Sequence, residues 1–326
     1  MNLNLYDQDM NRISAIGNQY ISCLWSEGYN TVENFTVELI ATDEYKRKLR
    51  PDCYVGRDDR KSLMVIKTVM VSGGKLVASG KQAARVLDDV AYIGVTPGGI
   101  SVRANIKHNY ESTGKYRNLE VAESDLEDRY NHQISNMSML KLCTTVCQDT
   151  DVGFRVVRSG NRMLLELYKP SLNPNLVYAR KYGNLLDESV QFSTENLKNY
   201  AVVLGSGDGA DRVKVIVDET NGADRRELIV DARDLQPEEG ESDASYRNRL
   251  ASRGNEKLLE CRETLQCAFS PYAGDFGTRF DLGDILTVYL TDYGMKLQAR
   301  VARFTQKSQK NKTTTTIEVG KITILR

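Results

Sequence analysis

Short runs of alternating apolar and polar residues, separated by tight turn signals, constrain this chain more than any other feature. Gln19-Tyr-Ile-Ser-Cys-Leu-Trp25 and Glu33-Asn-Phe-Thr-Val-Glu-Leu-Ile40 carry the two-residue period of a strand with one buried face. Gly28-Tyr-Asn30 interrupts them, which predicts a hairpin. Tyr54-Val-Gly56 and Leu63-Met-Val-Ile-Lys-Thr-Val-Met-Val71 follow, and a Gly73-Gly74 turn leads into Lys75-Leu-Val-Ala78. Short strands at this spacing specify an antiparallel sheet or barrel.

Ser79-Gly-Lys-Gln82 can form a capping box ahead of Ala83, Val86, Leu87, Val90 and Ala91, which stand at helical spacing. Pro97-Gly98-Gly99 then marks a break. Ser124-Asp-Leu-Glu127 is a second capping box and predicts a helix to about Gln148, with Ile134, Met139, Leu142, Cys143, Val146 and Cys147 on its apolar side. Arg155-Val-Val-Arg158 and Met163-Leu-Leu-Glu-Leu-Tyr168, around a Ser-Gly-Asn turn, predict a hairpin, and Pro170 and Pro174 close this α+β stretch. Strand text returns at Val190-Gln-Phe192, Tyr200-Ala-Val-Val-Leu204 and Arg212-Val-Lys-Val-Ile-Val-Asp218. The acidic connector Pro237-Glu-Glu-Gly-Glu-Ser-Asp243 opens a predicted helix over 244–262, with Tyr246, Leu250, Leu258 and Cys261 in phase. Strands are predicted at 265–269, 284–290, 296–304 and 313–324, with Lys307-Ser-Gln-Lys-Asn-Lys312 as a solvated hairpin tip. The two strand-rich parts share no sequence repeat.

A length of 326 residues gives a prior of two or three domains, and 40% apolar residues suffice for a sizeable core. Lys+Arg 44 against Asp+Glu 44 leaves a formal charge of zero, without the basic footprint of a sequence-specific nucleic-acid or membrane-surface binder. No apolar run approaches the roughly 18–20 residues that span a bilayer. The opening MNLNLYDQDMNR lacks the basic-then-apolar order of a signal peptide. The chain is therefore expected to be soluble, with no membrane anchor. Its six cysteines, in a chain of this length, are expected to be free and mostly buried.

Candidate chemistry is sparse. Gly205-Ser-Gly207-Asp-Gly209 follows a strand, but a phosphate-cradling loop must open a helix, and here another strand follows at once. Cys143 and Cys147 stand four apart on a helix; zinc would need two further ligands, and Cys261 with Cys267 has the wrong spacing. The two histidines, His108 and His132, lie in no metal motif and beside no nucleophile signature. Asp281, Asp284 and Asp292 flank a strand, where polar loop ends account for them. Lys46-Arg-Lys-Leu-Arg50 reads as a solvated turn. No catalytic, cofactor-binding or metal-ligating residue is assigned, and no cofactor is expected.

The C-terminal third is more specific. It reads Tyr246-x3-Leu250, Ser252-Arg-Gly254, Lys257-Leu-Leu259, Phe269, Phe280-Asp-Leu-Gly-Asp-Ile285, Val288, Tyr293-Gly294, Ala299-Arg-Val301, Phe304-Thr305 and Glu318-Val-Gly320. This text resembles the hub family of bacteriophage tails: the siphophage tail-tip hub, or N-terminal part of the tail-associated protein, and the baseplate hub of contractile tails. The Asp-Leu-Gly-Asp turn before a strand, preceded by an Arg-Gly helix, is its most diagnostic piece. Val77-Ala-Ser-Gly80, leading into a helix with Leu87-Asp88, is similar to the family's strand-Gly-helix step in the first barrel, and Tyr200-Ala-Val-Val-Leu-Gly205 to the strand that begins its second barrel.

The resemblance implies an α+β, mainly β chain: two small antiparallel β-barrel modules with an interposed α+β domain and helical insertions. Residues 1–95 would form the first barrel module, with a strand near 186–194 as a candidate to complete it. Residues 96–185 would form the α+β domain, and 195–326 the second barrel module with a helical insertion at 236–262. It implies a homotrimer whose six barrels make a pseudo-six-fold ring at the virion tail tip or baseplate. The implied partners are a distal tail or tail tube protein, the tape measure protein, and a spike, fibre or receptor-binding protein. The chain ends six residues after Gly320, where many relatives extend, so lytic or receptor-binding activity is expected on another polypeptide. The alternatives are a tail-associated peptidoglycan hydrolase or peptidase using His108 or His132, and a receptor- or carbohydrate-binding module using Trp25 and the seventeen tyrosines.

Overall fold

The computed structural model describes residues 1–261, 264–309 and 312–325; at 174, 187, 192, 210, 264–268, 321 and 324–325 only the backbone is described. The side chain of Cys267, the helix end expected at Arg262 and the centre of the 307–312 loop lie outside this description. The chain folds as two compact units, Met1–Glu188 with Phe269–Arg326, and Ser189–Ala268.

The first unit is organised by an 11-stranded sheet that draws on both ends of the chain. Its order is Leu172–Tyr178, Ile285–Leu290, Met295–Gln309, Ser22–Gly28, Asn34–Ile40, Lys75–Gln82, Leu63–Ser72, Tyr54–Arg57, Leu3–Tyr6 and Arg12–Gly17, with Lys312–Leu325 on Met295–Gln309. The predicted hairpins are present: Trp25 pairs with Phe35 across one turn, and Ser72 with Lys75 across Gly73-Gly74. The join between chain ends runs from Arg303↔Gly28 to Gln309↔Ser22, antiparallel. The fold is mainly β with four α-helices among the described residues, the expected class; strand pairing among those residues traces no closed barrel.

Helix α1 (Asp43–Lys48) is capped by Thr42 and carries the charged run as solvated pairs, Lys46 with Asp43 and Lys48 with Glu44. Helices α2 (Val102–Glu111) and α3 (Met139–Asp149) share a core with Val86, Leu87, Phe154, Val156, Met163 and Leu165. Met139, Leu142, Cys143, Val146 and Cys147 are all buried, as their spacing predicts.

Two expected caps are not used. Ser79–Gln82 stays in a strand because sheet neighbours flank it on both sides, and the Gln82 carboxamide accepts the N–H groups of Gly28 and Glu33 instead of capping; a 3₁₀ helix, Ala83–Asp89, follows. The helix expected from Ser124 begins only at Met139, capped by Ser138. Upstream of it, Arg129–Tyr130 pairs with Ile100–Ser101 and Ile134–Ser138 with Ala91–Thr96, so sheet pairing overrides the local signal.

In the second unit, strand Tyr200–Leu204 lies between Lys214–Asp218 (antiparallel) and Glu227–Asp231 (parallel). The Gly205–Gly209 run is the turn of the antiparallel hairpin. Helix α4 (Asp243–Glu260), capped by Ser242, covers one face, with Tyr246, Leu250 and Leu258 on Ala201, Val203 and Val230. Two glycines make that approach possible. A Cβ on Gly254 would stand 2.7 Å from a Val203 methyl and 2.8 Å from a Val217 methyl, and one on Gly205 would stand 2.6 Å from the Tyr246 hydroxyl. Valine is stiff at χ1, so these methyls cannot swing aside. Gly254→Ala, which should gain ~1 kcal/mol of helix propensity, is expected instead to destabilise the second unit by about 1–3 kcal/mol through overpacking. Urea unfolding checks this; an unchanged or higher midpoint would contradict the close packing.

Candidate functional site

The Asp-Leu-Gly-Asp turn, singled out in the sequence, sits at a polar cluster of the first unit that includes Arg60, Glu27 and Arg300. Asp284 organises the turn from within: Oδ2 accepts the Asp281 N–H at 2.8 Å, and Oδ1 accepts the Ser171 N–H at 2.6 Å and hydroxyl at 3.0 Å. Gly283 has φ +86°, and a Cβ there would lie 2.5 Å from the Tyr29 ring, so both the turn and its neighbour require glycine. The Gly283 N–H donates to the Val301 carbonyl at 2.9 Å, and its own carbonyl accepts from Arg300 at 2.8 Å. Arg300 reaches on to Asp151 at 2.9 Å.

Asp281 faces Arg60, which it shares with Glu27. Arg60 donates to both Glu27 oxygens at 2.9 and 3.0 Å and to Asp281 Oδ1 at 3.0 Å. Its guanidinium lies 4.5 Å from the centre of the Phe276 ring, which stacks on Phe304 at 4.3 Å. Glu27 is fully buried and also accepts the Trp25 indole N–H at 2.8 Å. Burial works against the charge on Glu27, but the attraction and hydrogen bonds of Arg60, with those from Trp25 and Ser62, outweigh it and hold the carboxyl below its ordinary range. Arg155 continues the cluster, 3.8 Å from Asp281 and donating to Glu166 at 2.9 Å.

This cluster binds strands together; no nucleophile or histidine belongs to it. Cys23, Trp25 and Glu27 alternate with Leu24 and Ser26, so a glutamate at an inward strand position was the signal available in the sequence. The remaining candidates are dispersed. His108 is exposed on α2, and His132 is exposed beside Tyr130 at 5.6 Å. Cys143 and Cys147 are buried free thiols, and burial pushes the Cys143 thiol up to about 12 and that of Cys147 well above its usual value. No group of residues among those described could hold a metal ion, and no helix among them is long and apolar enough to cross a membrane. Asp292 is exposed in a turn, 3.9 Å from Arg180. Trp25 is wholly buried against Phe35 at 5.6 Å, which removes it as a stacking surface.

The surface instead displays aliphatic side chains. Ile216, Val202 and Ile229 form one cross-strand row on the sheet face of the second unit opposite α4, with Ile229 71% exposed. In the first unit, Ile40 is exposed at the end of strand Asn34–Ile40, Met70 and Val71 on strand Leu63–Ser72, and Ile93 and Val95 on strand Ala91–Thr96.

Solved structures place this β-rich fold among phage tail proteins. The chain is similar to prophage tail protein gp18 from Listeria monocytogenes EGD-e, at TM-score 0.57 and 12% identity over 98% of this chain and 95% of that one. It is similar to the 43 kDa tail protein of prophage MuSo2 from Shewanella oneidensis, at TM-score 0.55 and 10% identity over 98% of both chains. A tail protein from Neisseria meningitidis MC58 matches at TM-score 0.54 and 12% identity, over 98% of this chain and 96% of that one. Residues 102–321 match the family described as Siphovirus ReqiPepy6 Gp37-like protein, and the chain belongs to that family. No curated protein matches its sequence.

The buried pair gives a pH prediction. Arg60→Met leaves Glu27 buried and unpaired, and is expected to cost about 3–5 kcal/mol near pH 7. The folded-state pKa of Glu27 lies below the reference value of 4.5, so the stability it contributes is complete above pH 4.5 and is lost as pH falls through the lowered value. The gap between wild type and Arg60→Met should therefore narrow in denaturant unfolding between pH 7 and pH 3. A gap independent of pH would contradict the assignment.

Proposed function

We propose that this tail protein is the hub of a phage or phage-like tail tip or baseplate. Three copies would close into a ring that adapts a six-fold tail tube or distal tail ring to a three-fold spike or fibre assembly. The observation that carries this reading is the end-to-end likeness of fold to prophage tail proteins of nearly the same extent. The cross-strand row of Ile216, Val202 and Ile229 supports it, since contiguous apolar surface on a folded chain marks contact sites. Identical chains in a closed ring satisfy heterologous contacts without forming open filaments. Under this reading the 11-stranded sheet, which draws its strands from residues 1–95, from Leu172–Tyr178 and from after 269, forms the wall of the ring. The tape measure protein would meet the ring on its channel side.

Light scattering across a concentration series tests the reading, with and without the purified distal tail or tube protein. A trimer of the 36.7 kDa chain has a mass of roughly 110 kDa. That mass in either condition supports the hub; a monomer or dimer in both would overturn it.

A further inference from the structure

Beside the Arg60 cluster lies a cavity of about 320 Å³ in the first unit, whose walls include Arg57, Arg60, Lys61, Arg158 and a single carboxylate, Glu166. Two of these cations are already committed. Arg57, its side chain 2% exposed, donates to Asp59 at 2.8 and 2.6 Å and sits 5.2 Å from the centre of the Trp25 ring. Arg60 is held by Glu27 and Asp281. Glu166 is committed too, through Arg155. Lys61 and Arg158 are different. Among the described residues neither has a carboxylate partner; Arg158 Nε reaches only the Met10 carbonyl at 3.5 Å, and its guanidinium lies over the Tyr6 ring at 4.6 Å. An antiparallel bridge between Ser62 and Val157, the neighbours of these two residues, fixes the spacing of the two walls.

We infer that this cavity is a binding site for an oxyanion, a phosphate or a carboxylate group. The two uncommitted cations supply charge and donors, and guanidinium matches the geometry of either oxyanion. Arg57 and Arg60, tied to their own carboxylates, keep the basic wall from collapsing and need no reorganisation when the anion enters. The volume admits a small anion with its water, or an acidic side chain presented by another protein. The inference stands independently of the hub reading.

Trp25, the one tryptophan of the chain, lies under Arg57 and reports on the site. The full-length chain is titrated with inorganic phosphate and, separately, with a hexaglutamate peptide, at ionic strength held constant with chloride. Trp25 fluorescence and calorimetry follow each titration. Saturable binding is expected, weakened at least tenfold in Lys61→Ala or Arg158→Ala and abolished in the double variant; both side chains are exposed, so folding is preserved. Tighter binding of phosphate marks a phosphate-bearing ligand, and tighter binding of the peptide marks a carboxylate from a partner protein. No saturation with either probe, or equal binding by the double variant, overturns the inference.

Discussion

The architecture of the first unit depends on one buried cation. Arg60 is held between a carboxylate from the N-terminal strands, Glu27, and one from the C-terminal turn, Asp281, against an aromatic pair, Phe276 and Phe304. Desolvating Arg60 and Glu27 is expensive, and that cost is offset only if each finds its partners in place, with the half-exposed Asp281 completing the set. The cluster therefore acts as a test of assembly. The Met295–Gln309 strand must lie beside Ser22–Gly28, and the 281–284 turn must be closed by Asp284, before Arg60 is satisfied. The Asp-Leu-Gly-Asp motif is explained by this geometry, with one aspartate facing the arginine, the other closing the turn, and a glycine under Tyr29.

The second unit is built on a different constraint, the approach of a helix to a sheet through glycine. Its core is small, and its opposite sheet face carries Ile216, Val202 and Ile229 toward solvent. A scaffold locked internally by ion pairs and glycine contacts, and apolar at selected surfaces, suits a protein whose work is assembly. A net charge of zero is consistent with contacts made by shape and area more than by long-range attraction.

Much of the fold was legible because hairpins are local. The Gly73-Gly74 turn, the Gly28–Asn30 turn and the 155–168 hairpin could be read directly, as could the apolar face of α3. Helix α2 was hidden because Asn105 and Asn109 occupy buried positions on it, bonded to one another and to Thr96, and so break the apolar period. The Ser79 cap misled because the strand continues through it between partners on both sides, and the Ser124 cap because the segments that follow it, Arg129–Tyr130 and Ile134–Ser138, pair with strands near residues 91–101. The Arg60 cluster was beyond reach for the same reason, its members standing 33 and 221 residues apart. The Asp-Leu-Gly-Asp motif was visible as a pattern, while its physical cause required the fold.

If Arg60 joins the two ends of the chain, its two carboxylates must feel one another through it. A double-mutant cycle between Glu27→Gln and Asp281→Asn measures this directly, by denaturant unfolding at pH 7. The account predicts that the two losses depart from additivity by at least about 0.5 kcal/mol, as residues of one network do. Additive losses would mean that the turn and the strand are stabilised separately, and would contradict the central role given to Arg60.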